Sequence, residues 1–176
     1  MADKIFRADL MGATTFLLPP SFSGIETPAW RLPSIQTGID VSTTTDSPGS
    51  LLYALSVCHD LITALLSLAE LSTSLSTILS TTTPCSQEQR IHVLEQTYSI
   101  QYWLLRSLSD TNTLESSPIE ECFKIAAMLY MHVTWQDFPL SAMGTTKLLD
   151  RLRSLIMRTE FVGEAEEHLL VWLLFV

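Results

Sequence analysis

From residue 51 onward, apolar side chains return at three- and four-residue steps, the spacing that lines one face of a helix. Leu51, Leu52, Leu55, Cys58, Ile62, Leu65, Leu66 and Ala69 form the first such stripe. It runs on toward Leu79 through a second half thick with Ser and Thr, and Pro84 ends it. Ser86-Gln87-Glu88-Gln89 then has the form of a capping box, in which Ser86 and Gln89 satisfy each other's orphan backbone amides. The helix behind it carries Ile91, Leu94, Tyr98, Tyr102, Leu105 and Leu108 on one face and stops near Asp110-Thr111-Asn112.

The next start is the sharpest. Ser117-Pro118-Ile119-Glu120 places a capping Ser, a Pro at the first helical position and a Glu at the third. Ile119, Cys122, Phe123, Ala126, Met128, Leu129, Met131 and Val133 leave this helix almost no polar face, so it is expected at the centre of the fold. Pro139 closes the segment. A fourth helix over 143–158 turns Leu148, Leu149, Leu152, Leu155 and Ile156 inward and Lys147, Arg151 and Arg158 outward. Beyond Gly163, the carboxylates Glu164, Glu166 and Glu167 favour the first turn of a fifth helix, which ends in the apolar run 169–176. Val and Ile are sparse, and no Asn-Gly or Asp-Gly hairpin turn occurs. The fold class is therefore all-α, an irregular bundle of about five helices over 51–176.

Residues 1–50 read differently. They hold five of the eight prolines, four of the six glycines and thirteen Ser or Thr residues. Such a stretch buries too little to offset its ordering entropy, and a disordered tail is expected, with Phe16-Leu17-Leu18 and Trp30-Arg31-Leu32 as islands able to dock.

Composition narrows the function. Only 16% of residues are charged, below the ~25% of ordinary soluble domains. Ser and Thr must therefore carry much of the surface, unless a partner covers part of it. A net charge of −9 argues against direct nucleic-acid binding, which draws on phosphate neutralisation, and against anionic membrane surfaces. The longest apolar run has eight residues, against the ~20 needed to span a bilayer. Three cysteines, Cys58, Cys85 and Cys122, lie at no metal-ligand or redox spacing and suit a reducing compartment.

No catalytic array is expected. The histidines His59, His92, His132 and His168 pair with nothing at ligand spacing, apart from the weak edge Glu164–His168. Cys58 and His59 are neighbours, which on a helix point about 100° apart, so a buried structural Cys beside a boundary His is preferred over a nucleophile and base. Glu120-Glu121 and Glu166-Glu167 fall in first helical turns, where a structural role suffices. The basic cluster Lys147, Arg151, Arg153 and Arg158 is first of all a solvated face, though it could meet a partner. No metal or cofactor is expected. Phe123, Met128, Tyr130, Met131 and Trp135 read as core, with an adaptable groove as the alternative. The terminal 169–176 run must insert between helices or be covered by a partner.

The segment Glu121-Cys122-Phe123-Lys124-Ile125-Ala126-Ala127-Met128-Leu129-Tyr130-Met131-His132 resembles part of the fungal-specific transcription factor domain, the regulatory middle region of zinc binuclear cluster regulators. Leu148-Leu149-Asp150-Arg151-Leu152-Arg153-Ser154-Leu155 looks like the leucine–arginine helix that follows in that family, and 169–176 like its tryptophan-containing segment. The resemblance covers 51–176 loosely and 119–176 well. It implies an all-α domain in a nuclear regulator, one of secondary metabolism among them, working through protein or effector contacts. The six closely spaced cysteines of the family's DNA-reading module have no counterpart here, so zinc and direct DNA contact do not transfer. The family domain continues past the tryptophan segment, and a truncated C-terminus is therefore expected.

The resulting expectation is a transcription-regulator-like helical domain that contacts a protein partner, a second copy of itself or a small-molecule effector. It would be nuclear by the resemblance and otherwise cytoplasmic. Phe123, Ala126, Tyr130 and Trp172 would shape its core or groove, and Lys147, Arg151 and Arg158 would face a partner. Two rival readings stand beside it: a small helical ligand-binding protein or enzyme with a hydrophobic pocket, and a truncated, non-functional relic.

Overall fold

A computed structural model of the chain describes residues 2–16, 18–21, 57–80, 86–109, 117–134 and 142–159. Among them the architecture is all-α, with five helices and no strand: α1 (Ala2–Phe16), α2 (His59–Ser80), α3 (Gln87–Ser109), α4 (Pro118–Thr134) and α5 (Ala142–Arg158). The helix expected over the last residues, with Trp172, Glu164 and His168, lies outside the described residues.

α4 is the hub. Every residue from Cys122 to Leu129 is buried, so the helix is enclosed on all sides, and α2, α3 and α5 all pack on it. Ser117 caps it as its sequence predicts. Its hydroxyl accepts from the Ile119 N–H at 3.3 Å, and its carbonyl accepts from Glu121 N at 3.1 Å. The capping box before α3 is also present, with Ser86 N donating to Gln89 Oε1 at 3.0 Å and Gln89 N to Ser86 Oγ at 3.2 Å.

Two contacts set the direction of α2 against α4. Cys58 meets Glu120 at the start of both helices, and Tyr130 meets Ser72 near the end of α4. The two helices therefore run parallel, and α3 packs on both. The core draws Leu61, Ile62 and Leu68 from α2, Ile100, Leu104 and Leu105 from α3, and Leu148 and Leu152 from α5.

Three expectations need correction. The first ordered element is not at residue 51, because Ala2–Phe16 forms a helix that packs on α3 and α5 and buries Leu10, Ala13 and Thr14. Leu18 N donates to Ala13 O at 2.9 Å to close it, and Ser21 N turns back to Asp9 Oδ1 at 3.1 Å. Prolines and Ser/Thr concentrate after this segment, and averaging over 1–50 hid it; residues 22–50 lie outside the described residues. Second, Val57 and Cys58 are not helical, and α2 starts at His59, with Cys58 O accepting from both Leu61 N and Ile62 N at 3.1 Å. The Ser/Thr-rich half of α2 is helical to Ser80, in keeping with the run expected toward Leu79. Hydroxyls of Thr63, Ser67, Ser72 and Thr73 fold back onto carbonyls four residues earlier and so do not compete for the helix's own amides. Third, the apolar stripes extend beyond the core. Ile91 and Leu94 are exposed because burial of α3 begins only at Thr97 apart from half-buried Val93 and Gln96, and Leu149 lies exposed at the edge of the buried stripe of α5.

These placements separate residues that the sequence pattern treats alike. Leu105→Ala is expected to cost about 2–5 kcal/mol, whereas Ile91→Ala on the same stripe should stay within about 0.5 kcal/mol of wild type. Urea unfolding followed by circular dichroism reads both, and equal losses would show that the outer half of α3 is packed.

Candidate functional site

α4 begins with two adjacent carboxylates that point to different neighbours. Glu120, buried, accepts from the backbone N–H of Cys58 at 2.6 Å and so holds the entry of α2. Glu121 takes the Arg151 Nε–H at 2.5 Å and ties α4 to α5. The first-turn role expected for this pair is thus joined by a tertiary one. Arg151, expected to face outward, is half-buried in this ion pair.

One face of α4 then runs along α2. Phe123 and Ala126 are buried on it, and the half-buried Tyr130 donates its hydroxyl to Ser72 Oγ at 3.0 Å. Glu120, Phe123, Ala126 and Tyr130 fall within about one-third of a helical turn of each other, given 100° per residue. The residues singled out as groove or core contacts therefore form a helix–helix seam closed at both ends by polar bonds. Trp172, the fourth of them, lies outside the described residues.

The basic face behaves in a similar way. Lys147 Nζ lies 5.6 Å from the centre of the Phe16 ring, a cation–π contact that links α5 to α1. Arg151 is committed to Glu121, while Arg153 and Arg158 are exposed.

A second polar contact joins α1 to α3. Gln101 and Thr14 are both fully buried, and Gln101 Nε2 donates to Thr14 Oγ1 at 3.0 Å. The Thr14 hydroxyl spends its own hydrogen on Leu10 O at 2.6 Å. The other half of the carboxamide, Gln101 Oε1, is buried with no hydrogen-bond partner, an arrangement that costs about 1–3 kcal/mol. His132 Nδ1, in the last turn of α4, is likewise buried and unpartnered. Sequence reading missed the Thr14–Gln101 pair, and only an isolated Gln among apolar neighbours on α3 hinted at it.

The cysteines divide. Cys122 is fully buried, and desolvation, with a smaller push from Glu121, raises its thiol pKa to about 11. Cys58 was expected to be buried and is exposed, because it precedes α2 instead of lying on its inner face. Partial desolvation of its thiol still raises its pKa; the Leu61 amide and Lys124 oppose this, while Glu120 and Asp60 reinforce it. Among the described residues no group of three His, Cys, Asp or Glu side chains is placed to hold a metal ion, and no helix is long and apolar enough to cross a membrane.

Two predictions follow from these contacts. Glu120→Ala should cost about 1–3 kcal/mol, since it removes a charged acceptor from a part-buried bond to the Cys58 amide, and Glu120→Gln should cost less because an acceptor remains. A double-mutant cycle on Glu121 and Arg151, both partly exposed, should give a coupling below about 1 kcal/mol that shrinks with salt; denaturant titration of the variants measures all of these.

The Cys122 thiol should resist iodoacetamide at pH 8 in the folded chain and react in denaturant, as peptide mapping by mass spectrometry would report. Its folded pKa lies above the ordinary value of 9.0, so the neutral thiol favours the folded state. Its contribution is present below pH 9 and is lost as pH rises from 9 to 11. A Cys122→Ala chain should lose less stability over that interval than wild type.

No family model matches the chain, and none of the curated proteins or solved structures compared with it does so.

Proposed function

We propose that the chain is a helical regulatory domain of the kind found in fungal-specific transcription factors, one that acts through protein or effector contacts and carries no DNA-binding module of its own. The observation that supports this reading best is the use made of buried and half-buried polar groups. Glu120, Glu121, Tyr130 and Gln101 each bond a neighbouring helix, and Ser67, Thr97 and Ser99 bond carbonyls of their own helices. Chemistry needs ionisable groups that converge on one reacting atom. Here the adjacent carboxylates Glu120 and Glu121 diverge from α4, one toward the entry of α2 and the other toward α5, which suits a scaffold that presents surfaces.

Those surfaces are apolar in places. Ile91, Leu94, Val133, Met143, Leu149 and Met157 are exposed, and methionines adapt readily to a partner. The resemblance of 121–132 and 148–155 to the regulator family supplies the transcriptional half of the proposal and, with it, a nuclear location.

Fusion of the full chain to an unrelated DNA-binding module should alter reporter transcription several-fold in a fungal host. The same fusion carrying Met128→Asp, which puts a charge at a fully buried position of α4, should lose the effect. A folded, nuclear wild-type fusion that leaves the reporter unchanged would retire the transcriptional reading.

A further inference from the structure

α1 is joined to the other helices through residues 22–56 and lies in the crease between α3 and α5. It enters with a compact set of side chains: Leu10, Ala13 and Thr14, at steps of three and one, are all buried. Gln101 of α3 meets it inside the crease, with Lys147 of α5 at the rim over Phe16. The fit is steric but chemically incomplete. Thr14 has one hydroxyl hydrogen, and Leu10 O holds it at 2.6 Å, so toward Gln101 the oxygen can only accept. This fixes which way the carboxamide points and strands Gln101 Oε1, buried and without a partner, beside the occupying helix.

We infer that the α3–α5 crease is an acceptor site for an amphipathic helix, with α1 as its resident and displaceable occupant. The helix it fits best carries Leu, a small residue three positions on, and a side-chain amide where α1 has Thr14. An Asn at that position presents N–H and C=O side by side and can face the Gln101 carboxamide in a two-bond pair, which a hydroxyl already bonded to its own backbone cannot do. Regulation follows from competition. Belonging to the same chain gives α1 a high effective concentration, and a free helix gains entry only for the fraction of time α1 is undocked. A helix of the same sequence therefore competes poorly, and one that satisfies Oε1 competes well. This inference rests on reading the chain as a contact module and names the partner chemistry and the internal competitor.

The test uses fluorescein-labelled peptides of residues 2–21, one unmodified and one with Thr14→Asn, titrated with the full chain by fluorescence anisotropy. The Asn peptide should bind roughly tenfold tighter, the equivalent of about 1.4 kcal/mol, and the preference should collapse on a Gln101→Leu chain. A Gly12→Ala chain should take up either peptide more weakly. The added methyl meets nothing within 4 Å and favours the helix, so α1 holds its place more firmly. Equal affinity of the two peptides, or a preference that survives Gln101→Leu, would overturn the amide pairing. Binding seen only with a Leu10→Asp chain, whose own helix cannot refill the crease, would make α1 a fixed part of the core and end the displacement idea. Absence of binding to every chain would remove the site altogether, and if Leu10→Asp fails to fold, the wild-type and Gln101→Leu titrations still decide. A working reporter response alongside failed peptide binding would retire the crease alone, whereas peptide binding with a silent reporter would retire the transcriptional reading alone.

Discussion

The enclosure of α4 governs the rest of this structure. A helix buried continuously from Cys122 to Leu129 leaves little room for charge: Lys124 is the one charged side chain within that run, and the carboxylates stand at its start. Its first turn carries Glu120 and Glu121, and each finds its partner on a different helix. The buried Glu120 gives up water for a backbone amide and thereby fixes where α2 begins. The more exposed Glu121 makes a softer link to Arg151. One short acidic pair, within four residues of the capping Ser117, thus positions α2 and α5 against the hub. The seam of Phe123, Ala126 and Tyr130 keeps α2 parallel to it along its length.

A chain so low in charge has to manage its polar groups by other means, and hydroxyls do most of the work. Thr14, Ser67, Thr97 and Ser99 are all buried, and each donates to a carbonyl four residues earlier. A hydroxyl satisfied in this way can be packed like a small apolar group, which lets Ser/Thr-rich helices enter a core without demanding partners from outside. Among the described residues the arrangement leaves few buried polar atoms unpaired, and Gln101 Oε1 stands out for that reason. It lies where α1, remote in sequence from the other helices, meets them.

Much of the fold was legible before any coordinates. The Ser86–Gln89 box and the Ser117-Pro118 start are local chemistry, in which each residue bonds a group within four positions, so spacing alone reveals them. The centrality of α4 was equally plain, because nearly every position in it is apolar. α1 escaped notice because an average over fifty residues mixed a proline-free segment with the Pro- and Ser/Thr-rich stretch that follows it. Ile91, Leu94 and Leu149 misled for a different reason. A helical stripe shows which side of a helix is apolar, but not how far along its axis a neighbour extends. Of the candidate site, the apolar members were readable as core. The polar contacts were not, since Cys58–Glu120 and Thr14–Gln101 join residues 62 and 87 positions apart.

By itself the sequence determined that the described part of this protein is all-helical, where three of its helices start or stop, and which of them must lie at the centre, because each of these follows from hydrogen bonds and apolar periodicity within a few residues. The tertiary structure alone decided which helix an apolar stripe meets, which carboxylate caps a neighbour, and that the N-terminal segment folds onto α3 and α5. Those outcomes depend on shape and on partners distant along the chain, and no local spacing encodes them.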